Sequence, residues 1–192
     1  MAQPVKRIAI DPGHGGASPG AVYHGLQEKN VVLQISLLAS DALRLRGYEV
    51  VLTRDDDSYV SLTKRCEIAN FAKANIFVSV HVNADPDEDL PGMPEAKGEE
   101  IWIYQGSEEG FNLAQYLQAN IDRIFPDEPF RGIKESKNLY VLKHTKMPAV
   151  LLEIGFIDKS SSSEVFSDIH TLLRIATLIT EGIDEYCQGE LK

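Results

Sequence analysis

The chain has 192 residues, 43% of them hydrophobic, and a formal net charge of −10. That length and apolar content suffice for one buried core, so a single domain over 1–192 is expected, with its core at about 6–187. The acidic balance argues against nucleic acid or an anionic membrane as the main partner, since both select basic patches, and it suits a neutral or zwitterionic substrate. No apolar run approaches the ~20 residues that span a bilayer, and MAQPVKR leads toward a strand without the apolar region of a signal peptide.

In chain order, short apolar runs alternate with longer amphipathic segments, the pattern of an α/β protein. The expected fold is a mostly parallel, mixed, six-stranded twisted sheet flanked by helices on both faces. The first strand is predicted at Arg7–Asp11. Val31, Ile35, Leu38, Ala42 and Leu45 then recur at steps of four and three, which predicts a helix over Glu28–Arg46 that Gly47 terminates. A second strand follows at Tyr48–Thr53. The acids Asp55–Asp57 lack the spacing of a calcium loop and read as a solvated turn. Ser61 is a good N-cap for a second helix to about Ala74 that would bury Leu62, Ile68 and Phe71. The third strand is Ile76–His81, and the three prolines and two glycines of Asp85–Gly98 predict a surface loop after it. A fourth strand at Glu100–Tyr104 precedes a third helix over Glu108–Ile124, with Phe111, Ala114, Leu117 and Ile121 inward. Leu139–Leu142 and Ala149–Glu153 complete the strands. The last helix carries Val165, Ile169, Leu172, Ala176, Ile179 and Ile183 on one face, after a serine run at 160–163 that offers caps. Cys66 and Cys187 fall in predicted helices far apart, without a CxxC pair, and read as thiols.

Functional groups of open α/β sheets collect outside the carboxyl ends of the strands. The first strand leads to His14 and the third ends at His81, so parallel strands would bring both to one rim. Glu28 opens the helix after the glycine loop, which returns it to the same rim. Two histidines and a glutamate form a catalytic zinc set, three protein ligands leaving a fourth position for water. Gly13, Gly15 and Gly16 are expected to take backbone angles forbidden to other residues, so that His14 points back across the strand end. A phosphate cradle is the other reading of this loop, but GxGxxG spacing and a Gly-Lys-Ser/Thr ending are absent. In PAVLLEIGF an apolar run ends in Glu153, and an ionisable group there is costly unless paired or used. Glu153 is either salt-bridged to a lysine or arginine or is a general base for zinc-bound water. His24 lies in the glycine-rich loop and reads as solvent-exposed, while His144 and His170 have no partner by spacing.

Taken in order, IAIDPGHGG, GLQEKN, LTRDDD, SLTKRCEIAN, FVSVHVNA, RGIKESKNLYVL and MPAVLLEIGFI resemble the zinc-dependent N-acetylmuramoyl-L-alanine amidases called amidase 3, found in bacterial cell-wall remodelling enzymes and phage endolysins. The likeness covers nearly the whole chain. It implies one Zn2+ held by His14, Glu28 and His81, with Glu153 catalytic. It also implies peptidoglycan as substrate, cut between the lactyl group of N-acetylmuramic acid and the L-alanine of the stem peptide. After GFI the family commonly continues with a small polar residue and asparagine, where this chain has Asp158 and Lys159. Some cell-division members carry an inserted helix that blocks the zinc. Asp85–Gly98 is too short and proline-rich for one, so an open site, no activator protein and a monomer are expected. Arg131 is a candidate for gripping a stem-peptide carboxylate, or a surface arginine in the turn after Pro129; Asn83 is a candidate for orienting the His81 loop. The competing functions are a zinc peptidase cutting another stem-peptide bond and a wall-binding module that has lost turnover. The expected place of action is the cell wall, in the periplasm or on the extracellular face, for either a phage endolysin released through a pore or a domain excised from an exported protein.

Overall fold

Side chains of successive strand residues point to opposite sheet faces, and β1 (Arg7–Pro12) is apolar on both. Ile8 and Ile10 join one buried cluster while Ala9 between them joins another. Such doubly buried strands belong in the middle of a parallel sheet. The computed structural model describes residues 6–85, 97–157 and 165–189. After β1 come a short antiparallel hairpin of β2 (Val22–Tyr23) and β3 (Leu26–Gln27), then α1 (Glu28–Leu45) and β4 (Glu49–Leu52). They are followed by α2 (Leu62–Phe71), β5 (Ile76–Asn83), β6 (Glu100–Tyr104) and α3 (Glu108–Ile124). The chain continues through β7 (Ile133–Ser136), α4 (Tyr140–His144), β8 (Ala149–Phe156) and α5 (Ile169–Gln188).

The six long strands order as β4-β1-β5-β8-β6-β7. Every pairing is parallel except β6 with β8, so the sheet is mixed and mostly parallel, as expected. Helices α1, α3 and α5 pack on one face through Val31, Ile35, Leu113, Leu117, Leu172 and Ile179. Helices α2 and α4 cover the other face through Cys66, Ala69, Val141 and Leu142. Both cysteines are free, Cys66 buried and Cys187 half-buried.

The sequence expectation for the sixth strand is corrected. Leu139–Leu142 forms no strand: Leu139 is the N-cap of α4, whose Val141 and Leu142 are buried against α2. A short apolar run does not by itself distinguish a strand from a buried helical turn. The sixth strand is instead β7, reading IKES, an edge strand with one neighbour whose polarity hides it from hydrophobicity.

The inward face of α2 also differs. Leu62 is 54% and Phe71 92% exposed, whereas Arg65, Cys66 and Ala69 are buried. The helix is turned by an ion pair that Arg65 makes under the sheet rim, described below. It ends at Phe71, short of Ala74, because Lys73 adopts a left-handed φ of 52°. Phe111 of α3 is exposed, while Ala114, Leu117 and Ile121 are buried as expected. Val165 and Ile169 are exposed, and α5 starts at Ile169, capped by the Asp168 carboxylate, which accepts from the backbone N–H of His170 and Thr171. The serine run at 160–163, Asp158 and Lys159, and all but the ends of the 85–98 loop lie outside the described residues.

Glu99, at the entrance to β6, is 6% exposed and its buried Oε2 has no hydrogen-bond partner. Burial pushes its carboxyl from an ordinary 4.5 up to about 7. The folded state then holds a proton that the unfolded chain releases near pH 4.5, so stability is lost as pH rises toward 7. The full span is worth on the order of 3 kcal/mol. Glu99→Gln removes this dependence: it is expected to melt above the wild type at pH 8 and with little advantage at pH 4.5, measured by calorimetry at both values.

Candidate metal centre

Beyond β1 the chain reverses in four residues. The Gly13 N–H donates to the Val80 carbonyl at 3.0 Å, and Gly15 and Ser18 exchange two backbone bonds at 2.9 and 3.0 Å. His14 itself sits at φ 58°, the strained left-handed region. Its Nδ1 lies 3.1 Å from Ser18 Oγ, which turns Nε2 toward Glu28 Oε2, also 3.1 Å away. From β5, His81 presents Nδ1 to Glu28 Oε1 at 2.9 Å. Glu28, the first residue of α1, is buried and also accepts the backbone N–H groups of Ala21 at 2.9 Å and Val82 at 3.1 Å. One donor atom from each of His14, Glu28 and His81 lies within 4.8 Å of the other two.

Burial opposes the Glu28 charge, but hydrogen bonds and the charges of the two imidazoles outweigh it and hold the carboxyl well below the usual range. Burial likewise disfavours charge on His81, and the hydrogen bond and charge of Glu28 overcome this and raise its pKa. The donor set fits a divalent zinc ion. Imidazole nitrogen and carboxylate oxygen are its usual ligands, and three protein donors are the number that catalytic zinc sites use.

Gly13 needs no unusual angle, contrary to expectation; its role is steric. A Cβ there would meet His81 Cε1 at 2.4 Å, and one on Gly20, at φ 70°, would meet Glu28 Oε2 at 2.4 Å. Gly15 and Gly16 do take positive φ, as expected. Gly13→Ala is therefore expected to displace the His81 ring and weaken zinc binding by roughly 10–100-fold, the usual effect of disturbing a ligand's support. Competition titration against a chromophoric chelator measures this, and unchanged affinity would show that the ring has room to move.

Glu153 lies on β8 directly beside His81 in the strand register. Its buried Oε2 has no hydrogen-bond partner. Burial pushes the carboxyl up to about 7, with help from the charges of Glu28 and Glu100 and against the pull of His81 and, more weakly, of Lys134. No lysine or arginine pairs with it among the described residues. A cleft of about 420 Å3 opens beside the two histidines, lined also by Tyr59, Leu62, Asn138, Tyr140 and Leu151.

The support beneath the ligands escapes sequence reasoning. Asp11 is buried, and its Oδ1 accepts from Arg65 Nη1 at 2.6 Å and from Thr53 Oγ1. Its Oδ2 accepts from Ser79 Oγ at 2.7 Å. Arg65 also donates to the carbonyls of Pro12, at 2.6 Å, and of His14. Arg54 donates to the carbonyls of Pro12 at 3.0 Å, Gly13 at 2.7 Å and Lys29 at 2.8 Å. Two buried guanidiniums thus fix three consecutive carbonyls of the His14 loop and tie it to the start of α1. The one hint in the sequence is an acid, Asp11, closing an apolar strand. The acids after β4 are solvated, as expected, but Asp57 also binds Lys29 Nζ at 2.7 Å and the Gly16 N–H at 2.9 Å.

Neither of the other candidates touches the two histidines. Asn83 donates from Nδ2 to Glu100 Oε1 at 3.2 Å and accepts the Ala84 N–H at 2.8 Å. Arg131 donates from Nε to Glu100 Oε2 at 2.9 Å and lies over the Phe156 ring, 5.0 Å from its centre. His24 is exposed and stacks on Tyr23. His144 ends α4 against Tyr140, not between two strands, and His170 is exposed at the start of α5.

Comparison with known proteins identifies the family. The family profile described as N-acetylmuramoyl-L-alanine amidase, Amidase_3, matches residues 8–185. The Bacillus subtilis protein YqiI is 36% identical over 190 residues, covering 96% of this chain and 87% of YqiI. The endolysin of Bacillus phage SPP1 is 37% identical over 186 residues, and the match spans 94% of this chain but 65% of the endolysin. Among solved structures, an N-acetylmuramoyl-L-alanine amidase of Clostridium difficile 630 superposes with a TM-score of 0.88 at 31% identity, covering 98% of this chain and 100% of that one. The CwlD amidase of Clostridioides difficile, solved in complex with the GerS lipoprotein, gives 0.88 at 28% identity over 96% of this chain and 100% of CwlD. A profile match over nearly the whole chain, on a fold that brings two histidines and two glutamates to one sheet rim, places this protein in the N-acetylmuramoyl-L-alanine amidase family of hydrolases, amidase 3.

Proposed function

We propose that this chain is a zinc-dependent amidase, one catalytic domain over 1–192 with its core at about 6–187, that cleaves the bond between the lactyl group of N-acetylmuramic acid and the L-alanine of the peptidoglycan stem peptide. The observation that carries the reading is the convergence of the His14, Glu28 and His81 donor atoms within 4.8 Å, beside a buried Glu153 carboxylate with a free oxygen. Zinc, when bound, supplies Lewis acidity toward the scissile carbonyl and the attacking water.

The remaining work falls to the chain. Ser18 holds the His14 ring in orientation, and Arg54 and Arg65 fix the loop that carries it. Glu153 takes the proton of the attacking water and then delivers it to the leaving α-amine of alanine, because an amide anion is too poor a leaving group. A carboxyl raised to about 7 is suited to both transfers near neutral pH. The cleft beside the ligands admits the substrate from solvent. In this reading the protein acts on the cell wall as a monomer without an activator. No helix among the described residues is long and apolar enough to cross a membrane.

The test is digestion of purified peptidoglycan by the purified chain alone, counting new N-terminal alanine and new reducing sugar ends, with and without chelator. Alanine amines that vanish with chelator and return with Zn2+ are expected. New amines on another residue would make it a peptidase, and no product at all would leave a binding module.

A further inference from the structure

The cleft beside His14 and His81 has an apolar wall built from three separate segments. Leu62 reaches it from the first turn of α2, Leu139 and Tyr140 from the start of α4, and Tyr59 from the turn between β4 and α2. Leu62 is 54% and Tyr59 65% exposed. The Arg65 ion pair that turns α2 is what sets Leu62 outward, and Gly16 is what lets Tyr59 come close. A Cβ on Gly16 would meet the Tyr59 N at 2.8 Å and the Tyr59 Cβ at 3.0 Å, so only a bare glycine lets the Tyr59 turn lie against the His14 loop. Asp57 pins the same contact by accepting the Gly16 N–H at 2.9 Å. Tyr140 is held as well, its hydroxyl 3.1 Å from Thr63 Oγ1 and its ring centre 4.1 Å from that of His144.

This wall carries no free charge. Besides the two histidines, the charged side chains among the described lining residues are Asp11 and Arg65, which pair with each other and are almost wholly buried. Glu28 and Glu153 are not part of the lining, nor is Glu100 with the Arg131 and Lys134 that donate to it. The polar groups that the wall does offer are neutral, the Asn138 amide and the Tyr140 hydroxyl. Two hydroxyls that share one hydrogen bond, as Tyr140 and Thr63 do, keep one hydrogen for a further acceptor. Aromatic and aliphatic side chains left in water beside a reactive centre mark a surface that a ligand covers.

We infer that Tyr59, Leu62 and Tyr140 form a subsite for the sugar ring on the acyl side of the scissile amide. The inference rests on the amidase reading and assigns the two arms of that substrate to different surfaces. One arm is a neutral pyranose, with C–H groups on its faces and hydroxyls at its edges; the other is a peptide, whose free end is a carboxylate. A carboxylate against this wall would lose water and gain no cation. A pyranose loses nothing of the kind. Its C–H face covers aromatic and aliphatic carbon, the use that tyrosine serves where one side is apolar and the other wet, and its hydroxyls meet the Tyr140 hydroxyl and the Asn138 amide. The cleft, about 420 Å3, falls in the range of roughly 300–1,000 Å3 that small-molecule sites occupy.

Two substrates with the same scissile amide test this, a muramoyl peptide and the same peptide capped with D-lactate alone. The methylamide of N-acetylmuramic acid, which offers the sugar without the peptide, serves as binding probe by calorimetry. The zinc-loaded wild type is expected to prefer the sugar-bearing substrate on the order of 10-fold in kcat/KM, chiefly through KM. Tyr59→Ala and Leu62→Ala should each cut that ratio by about 3–10-fold and weaken methylamide binding by a similar factor. Tyr59→Phe keeps the ring and should keep both. Cleavage of both substrates without preference, or equal slowing of both in the alanine variants, would overturn the sugar subsite and leave the amidase reading standing. No cleavage of either, with the methylamide still bound by the wild type and released by Tyr59→Ala, would do the reverse. Melting curves confirm that the exposed substitutions leave the fold intact.

Discussion

Arg65→Leu is expected to lower the melting temperature by roughly 6–20 °C and to weaken zinc binding in the same variant. Arg65 and Asp11 form an ion pair at 2.6 Å with both side chains almost wholly excluded from water. Removing one partner of such a pair strands the other charge and costs about 3–5 kcal/mol, at about 2–4 °C per kcal/mol for a chain of this size. The same substitution frees the His14 carbonyl and leaves the Pro12 carbonyl to Arg54 alone, so the loop that aims His14 loses half its anchorage. A fall in zinc affinity of about 10–100-fold is the expected scale for lost support of a ligand. Asp11→Asn combined with Arg65→Leu should melt above Arg65→Leu alone, because asparagine removes the stranded charge while still accepting from Ser79 or Thr53. Calorimetry and zinc titration on the three proteins decide the matter. If Arg65→Leu melts within 2 °C of wild type, which is about 1 kcal/mol or less, the pair does not carry the loop.

That buried pair also marks the limit of what the sequence makes legible. Strands β1, β5 and β8 announce themselves because they are apolar on both faces, and α1, α3 and α5 because one face repeats every three or four residues. The four residues of the proposed site are legible for a related reason. His81 and Glu153 interrupt or end apolar runs, His14 follows one, and Glu28 opens a helix beside them, so each polar group stands out against its local background.

Arg65 has no such contrast. It sits in a polar helix, and its partner is 54 positions away in sequence; only the fold reveals that its long side chain passes under the rim. Glu100 and Lys134 are hidden in the same way, since an acid next to Glu99 and a lysine in IKES both look like solvated surface until the strands align. The orientation of α2 shows the effect on fold prediction: an ion pair, not hydrophobicity, chooses which side is buried, and Phe71 is left in water. Gly13 teaches the converse, for its small size serves a ring that arrives from β5 and not the backbone angle of its own loop.

Glu153→Gln is expected to reduce kcat by a factor on the order of 10²–10⁴ while zinc stays bound at one ion per chain. Glutamine keeps the size and hydrogen-bonding ends of the side chain but takes no proton, so it tests the transfer and not the packing. The separation from ligand loss is sharp: His81→Ala removes one of three donor atoms and should lose metal and activity together, whereas Glu153→Gln should lose activity alone. Glu153→Asp, which withdraws the carboxylate by one methylene, should fall between wild type and glutamine, since a base works only within hydrogen-bond reach of the proton it takes. Metal content by atomic absorption, read beside kcat for alanine release, resolves the three variants. Near wild-type turnover in Glu153→Gln would move the acid–base role elsewhere. Loss of zinc in that variant would make Glu153 a fourth ligand, and the open position that the chemistry needs would be closed.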